Sequence, residues 1–210
     1  MTTLEHAMVG ANLVLAGGLD RRFGWQLVAV AGVCAALPDW DGFTILWSVS
    51  LFDVAHRSWG HGLLPCLIVA AVFALLDYRF DFMTRLAQCF SRWIKTTIPA
   101  KQLERRRTFT LSGAVVWMTV AAVAALSHLL ADMVVSGTAT LSDWDVKLLW
   151  PFSDRGFVYP LVPWGDIGNM LILIAGMFAM LRWKNRIQSI AALTLLGVVG
   201  YTLMHGFFIM

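Results

Sequence analysis

FTLSGAVVWMTVAAVAALSHLLAD, residues 109–132, decides the class of fold. From Phe109 to Ala131 it holds no Asp, Glu, Lys or Arg. About 20 such residues in helical form cross a hydrocarbon layer roughly 30 Å thick. Further apolar runs occupy 7–19, 25–38, 43–52, 62–78, 167–181 and 187–210. The runs at 7–19, 25–38 and 43–52 are short for spanning and predict a hairpin with an interfacial or re-entrant piece. Those at 62–78, 109–131, 167–181 and 187–210 are long enough, or nearly so, to cross. Lipid offers no partner to an open backbone, so each run is expected to be helical. The expected fold is an all-α polytopic membrane bundle, one domain over 1–210. It has four long spanning helices and shorter N-terminal hairpin and interfacial helices.

Composition agrees. Of 210 residues, 59% are hydrophobic and 14% charged, with a mean hydropathy of +0.70. Soluble domains are nearer half apolar and a quarter charged, which excludes a water-soluble, disordered or disulfide-stapled chain. The net charge of +3 calls for no nucleic-acid partner, because membrane proteins gather Lys and Arg on one face. Cys34, Cys66 and Cys89 show no CxxC spacing and suggest neither a disulfide nor a thiolate site. The first residues lack a basic region and carry Glu5, so no cleaved signal peptide is expected and His6 is retained.

Charge sets the expected orientation. Eight basic residues lie between Arg79 and Arg107, with further clusters at Arg21-Arg22 and at Arg182, Lys184 and Arg186. The positive-inside rule assigns these to the cytoplasm, with 79–107 as a basic loop. The N-terminus, residues 39–61, the loop 132–166 and the C-terminus then face the other side. That side gathers Asp39, Asp41, Asp53, Asp132, Asp143, Asp145, Asp154 and Asp166, with His6, His56, His61 and His128. Six tryptophans (Trp40, Trp47, Trp59, Trp144, Trp150 and Trp164) fall there too, as in an interfacial belt.

Four motifs on this face carry chemistry. Leu37-Pro38-Asp39-Trp40-Asp41 places two carboxylates two residues apart, on the same side of an extended backbone; it reads equally as a helix stop and cap. His56-Arg57-Ser58-Trp59-Gly60-His61 sets two imidazoles five apart, with Gly60 permitting a break so that His61 opens the next helix. Interfacial histidines are the bland alternative. His128 and Asp132, at i and i+4, share a helix face; a buried polar pair joining two helices is their other reading. His6 opens the first apolar run. His205 has no carboxylate within four residues and is expected to take no part.

Ionisable groups at apolar helix ends are costly unless paired or metal-bound, so their convergence on one face predicts a shared polar site. Imidazole and carboxylate ligation without thiolate suits Zn²⁺, and Mn²⁺ or Fe less well. Seven candidates (His6, Asp39, Asp41, His56, His61, His128 and Asp132) exceed the set of one tetrahedral ion, so two or more ions are expected. Such a cluster activates water and clamps an ester. Arg57 lies between two candidate ligands and is expected to hold a phosphate bidentately, unless it merely snorkels.

Taken together, His6, Leu37-Pro38-Asp39-x-Asp41, His56-Arg57-x-x-x-His61, Ser127-His128-x-x-x-Asp132 and Trp150-Pro151-Phe152 resemble the YdjM-like family of inner-membrane metal-dependent hydrolases. The resemblance spans roughly residues 1–155. It implies His6, Asp39, His56, His61, His128 and Asp132 as ligands, with Asp41 a ligand or neighbouring base. Trp59-Gly60 stands where that pattern has a small hydroxyl residue, and Gly62 follows His61 in place of serine. The family is distantly similar to zinc-dependent phospholipases C and single-strand nucleases, which implies a phosphoester substrate, possible as a lipid headgroup. The expected activity is therefore hydrolysis at the non-cytoplasmic interface of the inner membrane. The competing readings are a transporter or ion-conducting bundle using the same His/Asp set, and a membrane protein with a structural metal.

Overall fold

The computed structural model describes residues 1–94, 109–137 and 144–208. Lys95, Lys101, Arg105 to Arg107 and Asp143 lie outside them. Among the described residues the chain forms α1 (Thr3–Ala16), α2 (Leu19–Phe23), α3 (Trp25–Ala36), α4 (Val49–Ala55), α5 (Leu63–Phe80), α6 (Phe82–Trp93), α7 (Leu111–Val134), α8 (Gly168–Arg182) and α9 (Ile187–Phe208). A 3₁₀ stretch, Leu37–Leu46, continues α3. Over the described residues, each apolar run read from the sequence is mainly helical.

Four stretches are long and apolar enough to cross a membrane: Trp25–Leu46, Leu63–Phe80, Leu111–Val134 and Lys184–Phe207. The number is as expected, but the membership differs. The α3 helix gains length by running on through Pro38 as 3₁₀ helix, whereas α8 has only 15 residues. Leu64, Ile68 and Val72 of α5, with Leu193 and Leu196 of α9, are exposed, the pattern of helices that face lipid.

The basic segment is not simply a loop. Residues 82–93 form α6, which exposes Phe82, Leu86, Phe90 and Trp93. The 132–166 segment is anchored at both ends by a two-stranded parallel pairing of Val135–Ser136 with Val162–Pro163. That pairing returns the chain to the end of α7.

Small residues set the helix spacing. A Cβ on Gly10 of α1 would lie 2.4 Å from the Ala31 carbonyl oxygen and 2.6 Å from the Ala35 Cβ of α3. The buried seam continues through Ala70 and Ala74 of α5 and Ala121, Ala124 and Ala125 of α7. Between helices in lipid, close backbone approach replaces the hydrophobic drive. This packing brings the start of α1, the end of α3, the turn before α5 and the end of α7 to one end of the bundle.

Candidate metal centre

Each segment delivers its side chain by a local device. Thr2 caps α1 in a reciprocal capping box with Glu5, fixing the first turn from which His6 projects. Asp39 and Asp41 lie in the 3₁₀ stretch, where the Thr44 hydroxyl donates to the Asp41 carbonyl at 2.6 Å. His56 ends α4 and His61 lies in the turn before α5. Gly60 is required in that turn, because a Cβ there would fall 2.0 Å from the Pro38 carbonyl oxygen. His128 and Asp132 stand one turn apart on α7, as expected.

Four of the seven expected ligands converge. Asp39, His61, His128 and Asp132 each offer one donor atom, all within 4.8 Å of one another. The His61 and His128 Nε2 atoms are 3.0 Å apart. Asp39 Oδ1 lies 3.6 Å and 3.5 Å from them, and Asp132 Oδ2 3.4 Å and 3.7 Å. All but Asp39 are buried.

The other three serve these four. Asp41 is fully buried; its Oδ2 accepts from His61 Nδ1 at 2.9 Å and from the Gly60 amide at 2.9 Å. Its Oδ1 takes His56 Nδ1 at 2.8 Å. Asp41, His56 and His61 thus form a second close group, but through the opposite nitrogen of the His61 ring. His6 stacks on His128, with ring centroids 3.6 Å apart, and its Nε2 lies 3.0 Å from Asp132 Oδ1. The Met1 amine donates to the same oxygen at 2.8 Å. Of the seven expected ligands, four therefore lie together; His6 and Asp41 are bonded to members of that group, and His56 is bonded to Asp41.

Tautomers follow from the acceptors. A carboxylate and a backbone carbonyl only accept, so His61 Nδ1 donates to Asp41 and His128 Nδ1 donates to the Ala35 carbonyl, 2.7 Å away. Both neutral rings then turn bare Nε2 lone pairs toward each other beside two carboxylate oxygens. Such an arrangement demands a cation or a shared proton at its middle. Without metal the proton resides on His61: burial opposes the imidazolium, but Asp132 and Asp41 outweigh it and raise its pKa to about 9. The donor set of two imidazoles and two carboxylates, with Asp41 orienting one ring, fits a divalent ion of the zinc type.

Arg57 is held by the protein at its terminal nitrogens. It is 2% exposed, and its Nη1 donates to Ser136 Oγ at 3.1 Å and to the Trp144 carbonyl, while Nη2 lies 3.3 Å from Asp132 Oδ2. Its backbone sits at φ 59°, in the left-handed region, a conformation costing about 1–2 kcal/mol outside glycine. The guanidinium stacks on Trp144, 4.7 Å from the ring centroid. Arg57 ties the 56–61 turn to the end of α7 and to the following loop. The Ala35 and Trp144 carbonyls leave no trace in residue identity because they are backbone acceptors, and Ser136 Oγ is one hydroxyl among many until the chain folds.

His205 lies outside the two close His/Asp groups. Its Nδ1 donates to the Leu161 carbonyl at 2.9 Å, while Asp166 accepts from Tyr201 Oη at 2.8 Å. Both contacts fasten α9 to the loop before α8.

A cavity of about 840 Å³ opens beside the centre, lined by Asp39, His56, Arg57 and Asp132 and walled by apolar residues such as Leu37 and Phe43. Comparison with curated proteins and with solved structures gives no match. The sequence matches the family model "YdjM inner membrane protein" over residues 1–209, and the chain belongs to that family of inner membrane proteins.

Proposed function

We propose that this protein is a membrane-embedded metal-dependent hydrolase of phosphoesters, with one ion held by Asp39, His61, His128 and Asp132. The observation that carries this reading is the pair of facing Nε2 atoms, 3.0 Å apart, whose Nδ1 protons are both committed elsewhere. When bound, a zinc-type ion supplies positive charge at the reacting centre and lowers the pKa of water toward 7. The chain's own residues do the rest. Asp41 and the Ala35 carbonyl hold the two rings in one tautomer. His6 and Arg57 hold Asp132, and Arg57 partly offsets its charge. Asp39, half-buried with Oδ2 accepting from Thr3 Oγ1 at 2.6 Å, is the more exposed of the two ligands that line the cavity. A structural zinc site is closed by its four protein ligands, whereas a catalytic one keeps a position for water. With four ligands, the reading therefore requires a fifth position on the cavity side. This centre borders a large cavity, which favours catalysis over a structural ion.

In the reaction, the oxygen of water bonds to phosphorus, the phosphorus–oxygen ester bond breaks, and a proton passes to the departing alcohol. In this reading the centre faces the non-cytoplasmic interface, which the positive-inside distribution of the basic clusters supports. The test is metal content of the purified protein together with release of p-nitrophenol from ethyl p-nitrophenyl phosphate. One ion per chain and a rate lost in His128→Ala are expected. Absence of metal, or equal rates in both proteins, overturns the reading.

A further inference from the structure

The cavity beside the centre has a neighbour. A second cavity of about 580 Å³ lies against α1 and α3 and shares Gly32 with the first as a wall. Its lining is Ala11, Leu15, Val28 and Ala29, with Trp25 and Asp20 at the far end. Together they trace a groove along the α1–α3 seam. A Cβ at Gly32 would lie 3.2 Å from the Ala7 carbonyl oxygen, so the two helices meet closely in the groove floor. The metal-site end is polar and the length of the groove apolar; Asp20 marks its other end.

We propose that this groove receives one hydrocarbon chain of a membrane lipid whose phosphate-bearing head lies at the metal centre. The proposal rests on the phosphoester reading of that centre and names its substrate class as amphiphilic. Three observations support it. The groove follows Trp25–Ala36, 12 residues or roughly 18 Å at 1.5 Å each, long enough for an extended hydrocarbon chain. It shares the wall residue Gly32 with the cavity that reaches Asp39 and Asp132. At its head, Arg57 lines the cavity wall while its buried Nε has no hydrogen-bond partner, leaving one cationic N–H for an anionic group. A free phosphate uses the head alone; a lipid uses both ends.

The experiment places a trace of hexadecyl p-nitrophenyl phosphate, with a photoreactive diazirine at the chain terminus, in nanodiscs of phosphatidylcholine holding the metal-loaded protein. Adducts are mapped by mass spectrometry. Adducts on residues 11–29 at least fivefold above those on lipid-facing α5 and α9 are expected. Ala29→Phe and Val28→Trp, which fill the groove, should each reduce them to the level of α5 without altering metal content. In parallel, the hexadecyl ester should show a KM at least tenfold below that of the ethyl ester in the parent protein, and in neither variant. Concentrated adducts with no hydrolysis of either ester uphold the groove and overturn the hydrolase reading. Equal hydrolysis of both esters, with adducts spread evenly over the lipid-facing helices, overturns the groove and leaves the hydrolase standing.

Discussion

Replacing Asp41 by Asn separates orientation from ligation. The parent carboxylate accepts three hydrogen bonds, from His56 Nδ1 at 2.8 Å, His61 Nδ1 at 2.9 Å and the Gly60 amide at 2.9 Å. Asn has the same shape but only one oxygen, and its NH₂ donates. If the oxygen keeps the Gly60 amide and His61, the NH₂ opposes His56 Nδ1 and moves that ring to its other tautomer. If the amide flips, His61 Nδ1 must accept, its proton moves to Nε2, and the metal-binding lone pair is gone. The first outcome leaves His61 a neutral acceptor in place of a carboxylate, and the second sets a proton at Nε2 that metal must displace; the His61 side chain itself stays. Losing such an orienting partner costs about 10–100-fold in metal affinity, or about 1.4–2.8 kcal/mol. The assay is zinc titration against a competing chelator in nanodiscs, with His61→Ala beside it. A dissociation constant within threefold of the parent would show that Asp41 does not orient His61. A loss as complete as that of His61→Ala would make Asp41 itself a ligand.

Other outcomes follow from the same geometry. Gly10→Ala puts a Cβ 2.4 Å from the Ala31 carbonyl oxygen; it should destabilise the protein by about 1–3 kcal/mol in thermal unfolding, and an unchanged melting temperature refutes the seam. His205→Ala should leave metal content intact while His128→Ala lowers it, since His205 bonds only to the Leu161 carbonyl; equal losses would place His205 in the centre. With a pKa of about 9, metal-free His61 must release a proton on loading. Apparent zinc affinity should therefore rise about tenfold per pH unit from pH 7 to 9 and then flatten, whereas a pH-independent affinity contradicts the proton's position. In the metal-free protein, the same raised pKa stabilises the fold fully below about pH 6.5, and the contribution is lost as pH climbs through 9.

Much of this arrangement is written in residue identity, and the remainder is not, for definite reasons. Apolar length and the absence of charge locate the spanning helices because lipid imposes one requirement on every backbone group. The i, i+4 pair His128 and Asp132 is legible because helical periodicity converts spacing into a face. Which donors meet at one point depends on helix crossings that no local pattern encodes. His6, Asp39 and Asp41 look alike as candidates; only the positions of α1 and of the 3₁₀ stretch make Asp39 a member of the centre and the other two its supports. Arg57 shows the same limit. Its charge and position suggest an anion clamp, yet its terminal nitrogens are taken by Asp132, Ser136 and Trp144, partners supplied by a segment 75 or more residues away. The α3 span was underestimated because Pro38 reads as a helix stop, while as a first-turn residue of 3₁₀ helix it extends the element.

The centre is a consequence of how closely the helices approach. The Ala35 carbonyl reaches His128 Nδ1 at 2.7 Å because α3 and α7 pack through Ala31, Cys34, Ala121, Ala124 and Ala125, side chains too small to hold them apart. One turn from His6 on α1, Gly10 lets that helix settle onto Ala31 and Ala35, and so brings His6 to Asp132 and onto the face of His128. Metal affinity and helix packing are thereby linked at sites that carry no functional group. Any side chain that widens the α1–α3 seam shifts the Ala35 carbonyl and His6 together, loosening His128 on one side and Asp132 on the other. The same seam floors the groove beside Gly32, so the residues that close the bundle also shape the path from lipid to the centre.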